Sequence, residues 1–156
     1  MRRVLMIAIL MSCICSFAQV GIGTTTPLST LDLNGNLSVK HVLLPVNPTD
    51  FTAQVIDDGV YISISPVVNN QDFQLPSAID YPGRVYIIRN VQATINADIV
   101  LSPADLAAGV LFFAGDSSTG YAGPVDMDSA IGGGNRTKTL IFISDGSNWT
   151  YGILGF

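Results

Sequence analysis

Pro82–Asn90 reads PGRVYIIRN, and the two faces of this run decide the class of fold. Pro82-Gly83 is a turn signal that launches an extended segment. Side chains alternate along a strand, so Val85, Ile87 and Arg89 point one way and Arg84, Tyr86, Ile88 and Asn90 the other. Apolar residues stand on both sides. That pattern predicts a central strand covered on both faces.

Working outward, Thr139–Ser144 and Trp149–Leu154 form two further extended runs around Asp145-Gly146-Ser147-Asn148, which predicts a terminal hairpin with a short loop. Val60–Ile64 follows the turn signal Asp57-Asp58-Gly59, and Phe73-Gln74-Leu75 follows the cluster Asn69–Asp72. Ala97–Leu101 and Val110–Phe113 are further strand candidates, and residues 115–135 read as loop around a short strand near Tyr121. One helix stands out: Ser102 as N-cap, Pro103 at the first position, Asp105 in the first turn and Gly109 as terminator. Roughly eight strands at short spacing with one small helix indicate an all-β chain. The head is expected to be a compact antiparallel β-sandwich or jelly-roll-like domain.

Composition agrees. All twelve acidic residues are Asp, Lys is scarce, and Gly, Thr, Ser and Asn are abundant, which disfavours long helices. The chain opens with Arg2-Arg3, an apolar run from Val4 to Met11 and the small-residue stretch SCICSFA. That order describes a secretory signal peptide, too short to span a bilayer, with cleavage expected between Ala18 and Gln19. A lipobox reading at Cys13 ranks behind simple cleavage, because Met11 fits that pattern poorly. Cleavage removes both cysteines, Cys13 and Cys15, so the exported chain carries no disulfide and no thiolate metal site. It also removes Arg2 and Arg3, leaving five basic residues against twelve acidic ones, a net charge of −7. Phosphate backbones repel such a chain, so nucleic acid is not an expected partner. The expected divisions are a signal at 1–18, a stem and transition segment at 19–56, and a head at 57–156.

Val20–Val39, VGIGTTTPLSTLDLNGNLSV, is organised differently. Leu31 and Leu33 flank Asp32, Asn34-Gly35 is a turn pair of the kind that joins antiparallel strands, and Leu37 and Val39 resume the alternation. A small hairpin with one apolar face cannot bury that face alone. Ile22, Leu31, Leu33, Leu37 and Val39 are therefore the expected contacts between subunits; a hairpin folded onto the chain's own head is the alternative.

The segment resembles the motif V-G-I-G-T-x-x-P-x-x-x-L-D-[LV]-x-G-x-[LV]-x-V of bacterial surface proteins and phage tail fibres. In the head, Leu75-Pro76, Gly83–Asn90 and Ser144–Trp149 resemble three signposts of small tail-fibre-type heads. The resemblance implies a slender trimeric stalk meeting a β-rich head, a structural or adhesive role at an envelope of Gram-negative type, and no general catalytic set. The Asp- and Gly-rich insertion from Asp116 to Asn135 departs from that pattern.

Chemical motifs are few. His41 is the only histidine, so any histidine-based triad must use it, and no G-x-S-x-G elbow exists. Asp126 and Asp128 would share one side of an extended segment, the arrangement for a calcium site or an Asp-only hydrolase, though ordinary loop carboxylates rank ahead. Residues 131–139, IGGGNRTKT, lack the Gly before Lys that a phosphate loop needs. Tyr121, Trp149 and Tyr151, with Arg136, could face a surface glycan; packing is the competing role for a lone Trp.

The sequence therefore predicts an exported, non-catalytic homotrimer with no cofactor and no transmembrane segment after processing. Its expected partners are itself, a surface glycan or another surface or fibre protein. A monomeric carbohydrate- or calcium-binding module and a secreted hydrolase using Asp are the rivals.

Overall fold

The computed structural model describes residues 20–26, 29–44, 46, 52–129 and 136–154. The expected cleavage site at Ala18-Gln19, the lipobox cysteine Cys13 and the glycine run before Asn135 lie outside the described residues. The chain divides between Ser38 and Val39 into two units. The described residues are all-β apart from one short helix and a 3-10 turn.

In the first unit, β1 (Val20–Ile22) pairs with β2 (Leu31–Leu33) in parallel, with Val20 opposite Leu31 and Ile22 opposite Leu33. This corrects the antiparallel hairpin expected around Asn34-Gly35. The Asn34 backbone N–H extends the ladder to the Ile22 carbonyl at 2.9 Å, and its side-chain amide donates to the Gly23 carbonyl at 3.3 Å. Asn34 thus clamps β1 instead of reversing the chain. Gly23, at φ 73°, has no room for a side chain: a Cβ there would lie 2.8 Å from the Asn34 carbonyl oxygen. Leu37 follows in a segment without a strand partner, as does Val39 at the start of the second unit.

The second unit is a two-layer β structure. Its strands are β3 (His41–Leu44), β4 (Gln54–Val55), β5 (Tyr61–Ile64), β6 (Gln71–Gln74), β7 (Val85–Asn90) and β8 (Ala97–Val100), then β9 (Phe112–Ala114), β10 (Gly120–Tyr121), β11 (Val125–Met127), β12 (Thr139–Ser144) and β13 (Trp149–Ile153). The larger sheet runs β10-β9-β13-β12-β7-β5-β3 and the smaller β11-β8-β6-β4. β3 and β4, from the segment read with the stem, are strands of this unit.

From β3 to β8 the chain alternates between the layers, and that alternation sets the pairing. A strand that crosses to the other sheet and returns runs in its original direction. β3, β5 and β7 are accordingly parallel in one sheet, and β4, β6 and β8 parallel in the other. The expected all-β head is present, but where antiparallel pairing was expected the sheets are mixed, with antiparallel pairing concentrated in β12 with β7 and β13, β10 with β9, and β11 with β8. Each parallel crossover between β3 and β8, ordinarily a helix, is here a strand of the facing layer, and β9 and β13 are parallel as well.

Between the layers lies one core. Ile62, Tyr86, Ile88, Phe142 and Trp149 enter it from the larger sheet, Phe73, Ile99 and Met127 from the smaller. Buried Asn90 donates to the carbonyls of Ile95 and Met127 at 2.8 and 3.2 Å, tying β7 to the far sheet. The helix α1 (Pro103–Ala108) has the expected caps: the Ser102 hydroxyl accepts from the Asp105 N–H at 3.0 Å, and Gly109 stops it in the left-handed region. Asp105 is buried and accepts from the Ala78 N–H at 3.0 Å, fixing α1 to the loop before β7.

Candidate functional site

Three surfaces hold the residues that sequence reasoning singled out. The first is the β1–β2 pair. Partners opposite each other, and residues two apart, share a face, so Val20, Ile22, Leu31 and Leu33 form one apolar patch while Gly21 and Asp32 take the other side. Val20, Ile22 and Leu31 are 53%, 54% and 61% exposed, and Leu33 is half-buried. Of the five expected subunit contacts, Ile22, Leu31 and Leu33 are thus brought together, joined by Val20. Leu37 and Val39 are exposed but stand outside any strand.

The second surface is the solvent face of the smaller sheet. Asp126 lies opposite Asp98, and Asp98 opposite Asp72, so three carboxylates form a row across β11, β8 and β6. Asp98 sits in the middle and is nine-tenths buried. Desolvation first, then the charges of Asp126 and Asp72, raise its pKa above the ordinary carboxylate range. Desolvation and then Asp128 raise that of Asp126. Asp128 itself accepts from the Thr137 hydroxyl at 2.8 Å. Among the described residues no three carboxylate, imidazole or thiol groups come close enough to hold a metal ion. Sequence reasoning found Asp126 and missed Asp72 and Asp98. The local signal was present, since each of the three stands alone between residues that face the core.

The third surface surrounds the terminal hairpin. The Tyr121 and Tyr151 hydroxyls hydrogen-bond at 3.0 Å, and both rings pack at the edge of Phe112. Desolvation, then this bond, pushes the Tyr121 pKa upward. Trp149 does not join them at the surface: it is fully buried, 6.0 Å from the Tyr86 ring, with its indole nitrogen unpartnered. A ring enclosed on all sides cannot stack on a sugar, so Trp149 leaves the candidate contacts. Arg136 opens the 3-10 turn Arg136–Lys138, and its side chain lies outside the described residues. An open cleft of about 380 Å³ lies beside the hairpin, lined in part by Ser117, Asp145, Asn148 and Thr150. Asp145 and Asn148 are engaged within it: the Asp145 carboxylate accepts from the N–H groups of Ser147 and Asn148, and the Asn148 side chain accepts from Leu111.

His41 has a partner that the sequence did not reveal. Its Nε2 lies 2.9 Å from the Ser63 hydroxyl, its neighbour one strand over. That distance suits a base and a nucleophile. Yet among the described residues no carboxylate bonds to His41, and the pair sits on a sheet face at edge strand β3. Among the described residues no helix is long and apolar enough to cross a membrane.

Comparison with family models, with curated proteins and with solved structures finds no match for this chain.

Proposed function

We propose that this chain is an exported, non-catalytic structural or adhesive protein that works as a homotrimer closed through its stem, displayed at a cell surface or in a fibre-like assembly. The observation that carries the reading is the apolar face of β1 and β2, on which Val20, Ile22 and Leu31 are each more than half exposed. Covering a side chain of this kind contributes about 1.5–3 kcal/mol. A two-stranded pair has no second layer of its own to supply that cover. Sister copies of the same pair would. The number three comes from the resemblance of Val20–Val39 to tail-fibre stems, and cyclic closure satisfies every copy equally.

Light scattering on the purified chain tests the reading. Three chain masses are expected. A single chain mass, joined to saturable binding of a glycan, would replace it with a monomeric carbohydrate-binding module, the reading that the open cleft beside Asp145 and Asn148 favours.

A further inference from the structure

The solvent face of the larger sheet is rich in aliphatic residues and nearly free of charge where that of the smaller sheet is acidic. We infer that this face is where the head meets a second copy of the same chain, an inference that rests on the self-association proposed above and gives it a location in the head. Register places His41, Tyr61, Ile87 and Ile141 in one row across four adjacent strands. A second row sets Val85 opposite Ile143, and a third sets Leu43, Ser63, Arg89 and Thr139 side by side. Leu43 is 63% exposed and Ile143 41%, while Val85, Ile87 and Ile141 are half-buried.

Three observations choose the occupant. First, β7 carries apolar residues on both faces, the pattern of a strand covered on both sides, but its own core covers only Tyr86 and Ile88. A layer over Val85 and Ile87 would complete that pattern. Second, charge is nearly absent from this face. Eleven of the twelve aspartates lie between Val39 and Phe156, yet none stands in these rows, and Arg89 is the one charged residue. The smaller sheet shows the reverse, with three aspartates in register. Copies of an acidic chain repel each other where their carboxylates face, and this face of the head is free of that repulsion. Depletion of charge with enrichment of aliphatic and aromatic residues is the composition of an interface centre. Third, the four strands of these rows, about 4.8 Å apart, and three rows of residues give a flat footprint of roughly 400 Å². That is about half of the ~800 Å² per partner of a specific interface, which suits a contact that adds to the one proposed for the stem.

The test uses the full chain. Ile87→Lys combined with Ile141→Lys puts two charges at the centre of the face, and the only tryptophan, Trp149, reports through its near-UV signal whether the core is intact. If the parent chain is oligomeric, the variant is expected to keep that signal and to associate on the order of 100-fold more weakly. An intact variant that keeps the parent's mass would overturn this inference and leave stem-mediated association standing. A parent chain of single mass would overturn both; if it also floated with uncharged phosphatidylcholine vesicles, the face would belong to a lipid surface. Should the variant unfold, oxidative labelling of the parent chain decides. Labelling of Tyr61 should rise on dilution while that of exposed Tyr81 stays constant, and equal behaviour of the two would overturn the inference.

Discussion

Asp98 and Asp126 stand directly opposite each other on the antiparallel strands β8 and β11, and both have pKa values raised above the ordinary value near 3.8. Like charges in that position destabilise a sheet. A raised folded-state pKa means that the folded chain holds these protons more tightly than the unfolded one. Their contribution to stability is therefore complete below the ordinary value and is lost as pH rises through the folded-state values. Asp98→Asn should raise stability at neutral pH by roughly 1 kcal/mol and flatten that dependence. Urea unfolding across a pH series checks both; an unchanged slope in the variant would contradict the account.

Gly59 occupies the turn before β5 at φ 76°, and a Cβ there would lie 2.7 Å from Val42 Cγ2. Asp58 accepts from the Gly59 N–H and pairs with Lys40, so the turn is held on one side and crowded on the other. Gly59→Ala combines backbone strain of about 1 kcal/mol or more with a steric clash. A loss of about 2–4 kcal/mol is expected in thermal or urea unfolding. Gly109→Ala, where a Cβ meets open space, should lose only about 1 kcal/mol.

The carboxylate of Asp105 accepts the Ala78 N–H in a buried setting. Asp105→Ala leaves that donor without a partner and should cost about 1–3 kcal/mol. Asp105→Asn keeps an acceptor oxygen at the same place and should lose much less. Equal losses in the two variants would show that the hydrogen bond is not what anchors α1.

Local chemistry explains what could be read from the sequence. Ser102, Pro103 and Gly109 bounded α1 because caps act within a few residues. Asp145–Asn148 marked the terminal hairpin because its turn bonds close inside the loop itself. Strand β7 showed both of its faces by alternation alone. What escaped depended on pairing between distant segments. Nothing near Tyr61 or Val85 announces that β5 and β7 run parallel, since that follows from β6 crossing to the other layer between them. The row of Asp72, Asp98 and Asp126 exists only once three strands are in register. Asn34-Gly35 misled for the opposite reason: a strong local turn signal gave way to the clamp between Asn34 and Gly23.

Leu31→Asp together with Leu33→Asp places two charges on the apolar face shared with Val20 and Ile22. Light scattering on this variant beside the parent chain is the decisive measurement. Three chain masses are expected for the parent and a clear loss of mass for the variant, with the Trp149 near-UV signal unchanged. A parent chain that is already single, or a variant that keeps the parent's full mass, would contradict it.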